Sequence, residues 1–172
     1  RYKKLMGNTL IFAIGTFSSK VLVFLMLPYY TNILSTGEYG TVDALINVGQ
    51  LMIPIASVGI NNAVSRFGLE KGTDKSSVFS SGLYTILMGF VCLAAVSPVL
   101  TLLMDFMSGY TIAVLAFVLA SSLRTLCIQF ALSLGYNKMY AANGIGNTFL
   151  NVILNIILLP HFRIMGYLMA NI

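Results

Sequence analysis

Apolar residues run almost unbroken through five stretches of this chain, roughly 9–33, 42–66, 77–104, 110–134 and 140–160, and a sixth begins near 166. Short polar connections separate them: STGEYGT, GLEKGTDKSS, DFMSG, GYNKMY and HFRIMG, in that order. A helix needs about 20 apolar residues to cross the hydrocarbon of a bilayer. The pattern therefore predicts an all-α polytopic membrane protein. Five complete transmembrane helices and the start of a sixth would form one N-terminal bundle over residues 1–172. The sequence opens on Arg1 and stops a few residues into the sixth stretch, so it reads as part of a longer protein. The first stretch is too long for a cleavable leader and lacks a small-residue cleavage site, so it reads as a retained span.

Polar residues inside the stretches fall in lines. The second carries Asp43, Asn47, Gln50, Pro54, Ser57, Asn61 and Ser65, spaced three or four apart, which is one face of a helix. The fifth carries Asn143, Asn147, Asn151 and Asn155. The first has Thr9, Ala13, Thr16 and Lys20, and the fourth has Ser121 and Arg124 with Thr125, Gln129 and Ser133 beside them. Asparagine and serine often bond across membrane helices, for about 0.6 kcal/mol on average. That account serves the asparagine line as well as a cavity does. The longer line of the second stretch fits a water-filled cavity better. Pro28, Pro54 and Pro98 each free a carbonyl four residues back, those of Phe24, Gln50 and Ala94. Bends are expected there, facing protein or water rather than lipid. Pro28 and Pro54 are the candidate hinges.

Composition supports the membrane reading, with 58% of residues hydrophobic and only 9% charged. An ordinary soluble domain is about a quarter charged. The cations alternate by connection. Arg1, Lys3, Lys4, Arg66, Lys71, Lys75 and Lys138 belong to one side, and Arg163 alone to the other. The rule that cationic loops stay inside puts the N-terminus in the cytoplasm. It also accounts for the basic character without nucleic acid.

Two cations fall near the centres of their stretches, Lys20 and Arg124. Each costs about 2.5–3.5 kcal/mol to insert there. Neither reaches a headgroup easily from that depth. The visible carboxylates Glu38, Asp43 and Asp105 lie near or beyond one end of the spans. Either the two cations face an aqueous cavity that takes an anion, or they pair with carboxylates elsewhere in the chain. Arginine offers phosphate a bidentate fork and lysine a point charge.

Nothing argues for an enzyme or a cofactor. Cys92 and Cys127 lie inside apolar runs at no metal-binding spacing and read as small core residues. His161 stands alone beside Pro160. Ser35 and Glu38 form the S-x-x-E pattern of a capping box, which explains them structurally. Asp43 has two readings, as a site for a coupling proton or cation, or as a carboxylate favoured near a helix N-terminus.

The segment SSKVLVFLMLPYYTNILSTGEYGTVD resembles the first helix, outer loop and second-helix start of the polysaccharide-exporter (Wzx-type) flippases. These belong to the multidrug/oligosaccharidyl-lipid/polysaccharide (MOP) exporter superfamily. The positions carrying the likeness are Ser19, Lys20, Pro28, Tyr30, Thr31, Leu34, Ser35, Glu38, Tyr39, Gly40 and Asp43, continuing in PIASVGINNAVSRF through Pro54, Gly59, Arg66 and Phe67. It covers about residues 8–67; beyond that only the span spacing and the asparagine-rich fifth stretch match. The resemblance implies a bacterial or archaeal cytoplasmic-membrane transporter of two pseudo-symmetric bundles, of which this is most of the first. It further implies flipping of undecaprenyl-diphosphate-linked saccharide by alternating access. Membrane lipids and the polysaccharide polymerase machinery would be its other partners. Lys20, and Arg124 outside the matched segment, would then hold the diphosphate, and Asn47, Gln50, Ser57 and Asn61 would line the sugar path. The rivals are a drug exporter of the same superfamily, disfavoured by a cationic cavity, and a non-transporting scaffold or glycosyl-lipid enzyme.

Overall fold

The computed structural model describes residues 17, 20–22, 24–70 and 72–172. Arg1, Lys3, Lys4, Lys71, Ser19 and the line Thr9, Ala13 and Thr16 lie outside the described residues. Every described element is helical: α1 (helical at 20–22 and 24–33), α2 (Thr36–Ser57), α3 (Ile60–Leu69), α4 (Lys75–Leu103), α5 (Thr111–Ser133) and α6 (Asn137–Asn171), with one 3-10 turn at Asp105–Met107. Among the described residues α4, α5 and α6 are long and apolar enough to cross a membrane, and α2 with α3 makes a fourth if the bent pair is one span.

Local chemistry sets the helix ends. Ser35 caps α2: its Oγ accepts from the Glu38 amide at 3.3 Å, and Glu38 Oε2 accepts from the Ser35 amide at 2.9 Å. This is the expected capping box. Asp74 caps α4, accepting from the Ser76 amide at 3.1 Å and the Ser77 hydroxyl at 2.7 Å. Helix α5 closes on Gly135 at φ 86°, with the Tyr136 amide on the Ala131 carbonyl and the Gly135 amide on the Leu132 carbonyl. That is a Schellman closure, and it needs the left-handed residue that glycine supplies.

The second apolar stretch is not one straight helix. Val58 (φ 49°) and Gly59 (φ 69°) turn left-handed, and α3 leaves α2 at 53°. Helix α2 runs on through Pro54 to Ser57, so the break falls four residues after the proline. The last stretch folds back on itself. Arg163 has non-helical torsions (φ 48°, ψ −120°), and Asn151 Nδ2 donates to the Ala170 carbonyl at 3.0 Å. Residues 19 apart on a straight helix would be about 28 Å apart. The sixth segment therefore turns at Arg163 and returns along the fifth, with Gly166 seated against the Leu158 carbonyl.

Helices α2–α3 and α5 run parallel in the centre, Gly49 against Phe117 and Ser65 Oγ donating to Gln129 Oε1 at 3.3 Å. Helix α4 runs back between them, with Gly82 against Leu126 and Val64, and Gly89 against the Ala56 carbonyl. Helix α1 leans on α6 through Tyr30 and Tyr167, whose ring centroids are 5.2 Å apart. The main core gathers Leu45, Met52, Ala56, Leu93, Val114, Val118 and Leu168. Cys92 and Cys127 are not core residues; both are exposed on the outward faces of α4 and α5. Small residues at these crossings let backbones approach where no water-driven force separates helix from lipid.

At Gly89 even a methyl group would meet backbone that cannot rotate away, whereas Gly144 has open space. Gly89→Ala should destabilise the protein by about 1–3 kcal/mol. Gly144→Ala should be neutral or stabilising by up to about 1 kcal/mol. Thermal unfolding of the two variants in detergent checks the contrast. The Ser77 hydroxyl, then the Ser76 amide, hold the Asp74 carboxyl below its ordinary value of 3.8. Its contribution to stability is complete above that value and is lost as pH falls through the lower folded one. Asp74→Asn, still a good cap, should flatten that acid limb of the unfolding curve.

Candidate functional site

The polar line of the second stretch divides at the α2–α3 break. Asp43, Asn47, Gln50 and Pro54 stay exposed on α2, with Asn47 Nδ2 donating to Asp43 Oδ2 at 3.0 Å. Ser57 is 2% exposed, its hydroxyl 3.4 Å from the Pro54 carbonyl. Asn61 is half-buried, with a buried Oδ1 that has no hydrogen-bond partner among the described residues. The expectation of one open face from Asp43 to Ser65 is corrected: the 53° bend swings its second half toward α5. Ser122, fully buried on α5, carries a second unpartnered oxygen.

Lys20 and Arg124 are both exposed, and neither forms an ion pair with any described residue. At 1.5 Å per residue, Lys20 and Gln50 each lie about 22 Å along their helices from Ser35, and Arg124 about 20 Å from the start of α5. The same count brings Arg124, seven residues beyond the Phe117–Gly49 contact, about 10 Å further along, level with the α2–α3 break. Lys20 and Gln50 thus share a depth and Arg124 lies about 9 Å beyond it, toward the α3 end; no hydrogen bond joins the three among the described residues.

The asparagine line of α6 also divides. Asn155 donates to both the Asn151 carbonyl and its side-chain oxygen at 2.9 Å, and Asn151 donates to Asn171 Oδ1 at 3.0 Å. These three bind the hairpin together. Asn143 and Asn147 remain exposed.

The prolines differ in what becomes of the carbonyl each one frees. That of Pro98, on Ala94, accepts the Ser97 hydroxyl at 2.8 Å. That of Pro160, on Ile156, accepts the Tyr29 hydroxyl at 3.0 Å. Among the described residues no side chain donates to the carbonyls of Phe24 or Gln50, freed by Pro28 and Pro54.

One feature escaped the sequence reading. Arg163 Nη1 meets Glu38 Oε1 at 2.6 Å, across 125 residues. The lone cation and a carboxylate of the same set of connections were the available signal. Arg163 holds torsions that the first central position of a II′ turn ordinarily gives to glycine.

The family described as "Polysaccharide biosynthesis protein" matches residues 5–171. The chain belongs to that family. It is the family of the Wzx-type flippases, as the segment around Lys20 resembles. Neither the curated proteins nor the solved structures contain a match.

Arg163→Gly should raise the unfolding temperature in detergent. It relieves backbone strain of about 1–3 kcal/mol and gives up an ion pair that is largely open to solvent and so worth little. A fall in unfolding temperature would mean that the pair with Glu38 outweighs the strain.

Proposed function

We propose that this family member contributes the first helical bundle of a flippase that moves lipid-diphosphate-linked oligosaccharide across the cytoplasmic membrane by alternating access. The observation that carries the reading is the pair of exposed cations, Lys20 and Arg124, on apolar helices with no ion-pair partner among the described residues. An anion held there recovers part of the insertion cost that two such charges incur, on the order of 5–7 kcal/mol. A diphosphate suits them, since it accepts both a guanidinium fork and an ammonium. Asn47 and Gln50, exposed on α2 at similar depth, offer hydroxyl-binding amides to a sugar. Ser57 is buried and Asn61 half-buried at the break, so reaching the sugar would take movement there. Asp43, bonded to Asn47, is the candidate for a coupling ion.

In this reading the end bearing the α3–α4 and α5–α6 connections faces the cytoplasm, because Arg66, Lys75 and Lys138 cluster there. The end joined by Glu38 and Arg163 then faces outward. Function as a transporter rather than an enzyme also accords with the family.

The test is transbilayer movement of a fluorescent undecaprenyl-diphosphate sugar in proteoliposomes of the full-length protein. Lys20→Ala should lose about 1.5–3 kcal/mol of phosphate binding, roughly 10- to 150-fold in flipping at low substrate. Equal flipping by wild type and variant, at equal insertion, would remove the phosphate role from Lys20. No flipping by either would reject the substrate class and direct the assay to dye efflux.

A further inference from the structure

A cavity of about 310 Å³ lies at the other end of the bundle from the Glu38–Arg163 pair, between α3 and the start of α4. None of the predicted site residues lines it. Its floor is apolar, from Ile60, Val64, Phe67 and Val78, and its mouth carries Asp74 and Ser77. Asp74 is the one charged residue among those lining it, and the other described charges nearby in sequence are Arg66, Glu70 and Lys75. Arg66 stands 5.9 Å over the Phe67 ring, Glu70 and Lys75 are exposed on the connection, and Asp74 stands between them as the cap of α4. An apolar slot with the Asp74 carboxylate at its mouth, and the exposed cations Arg66 and Lys75 next in sequence to its lining residues Phe67 and Asp74, complements a molecule with an apolar chain and a zwitterionic head.

We infer that this groove binds one acyl chain of a phospholipid whose head group carries a primary ammonium, with the phosphate toward Arg66 and Lys75 and the ammonium toward Asp74. The inference rests on reading this end as a membrane–water boundary, and it is independent of what the protein transports. An anionic head would face the Asp74 carboxylate with no countercharge. A choline head would bring the charge but no N–H donor. The ammonium alone supplies both charge and hydrogen bond. Asp74 still accepts from Ser76 and Ser77, so the lipid adds to the cap rather than replacing it.

The experiment is native mass spectrometry of the full-length protein released from detergent. Phosphatidylethanolamine, phosphatidylcholine and phosphatidylglycerol with identical chains are supplied in equal amounts. One phosphatidylethanolamine should be retained over phosphatidylcholine by roughly tenfold, the effect of one charge-assisted bond. Asp74→Asn, which keeps a competent cap, should bring that ratio close to one at unchanged unfolding temperature. Ala63→Phe, which fills the slot, should remove the retained lipid altogether. Equal retention of the two zwitterionic lipids by wild type would overturn the proposal, as would a preference that survives Asp74→Asn. Preference for phosphatidylglycerol would mean that the basic connection attracts anionic lipid instead, and would also overturn it. Should Ala63→Phe fail to fold, Asp74→Asn decides alone.

Discussion

The Ala56 carbonyl rests against the Cα of Gly89, and the course of the chain on both sides of that contact depends on it. A helix that breaks inside an apolar layer exposes carbonyls with no water to receive them, at several kcal/mol each if left alone. Here the break at Val58–Gly59 brings α4 to backbone contact, so a Cα–H covers the released oxygen. Only a residue without a side chain can approach so closely. The same rule governs the far hairpin, where Gly166 covers the Leu158 carbonyl. Close contact at these two points in turn fixes how α2, α4 and α6 stand around α5.

That geometry decides which polar residues are used structurally. Once α3 turns by 53°, Ser65 meets Gln129, and Ser57 disappears beneath the bend. Once α6 turns at Arg163, Asn151 and Asn155 are spent holding its two arms. Polar groups the fold does not consume remain on open faces: Lys20, Arg124, Gln50, Asn143 and Asn147. The transport path we propose would be built from such leftovers, since groups already satisfied have nothing to offer a passing substrate.

Much of this was legible in the residues. The all-helical class, the connection at Ser35 with its capping box, and the turn between the fifth and sixth segments all follow from local pattern, because hydropathy period and cap chemistry act within a few residues. The family was legible in the segment around Lys20 and is borne out over residues 5–171. What was not legible is tertiary. Pro54 advertises a bend, yet the chain breaks at Val58–Gly59, where glycine tolerates the left-handed torsions and Gly89 can cover the carbonyl. A periodic line of polar residues predicts a shared face only while the helix stays straight, so the Asp43–Ser65 line misled from Ser57 onward. Cys92 and Cys127 were placed in the core because they sit in apolar runs, but an apolar residue on a membrane helix has two apolar destinations, protein and lipid. The Glu38–Arg163 pair needed the third dimension to bring residues 125 apart into contact.

The four prolines carry the synthesis one step further. Pro98 and Pro160 sit where Ser97 and Tyr29 close the gaps they make, so those sites are kinks locked by their own partners. Pro28 and Pro54 lie on exposed faces of α1 and α2, and no described side chain closes theirs. A carbonyl without an internal partner must be served by water or ligand. Both open prolines lie on the helices that carry Lys20, Asn47 and Gln50. The helices that carry Lys20, Asn47 and Gln50 are therefore also those whose proline-freed carbonyls stay open. The rocking around a bound anion that we propose would use that coincidence: close contacts at Gly89 and Gly166, and open proline carbonyls on α1 and α2.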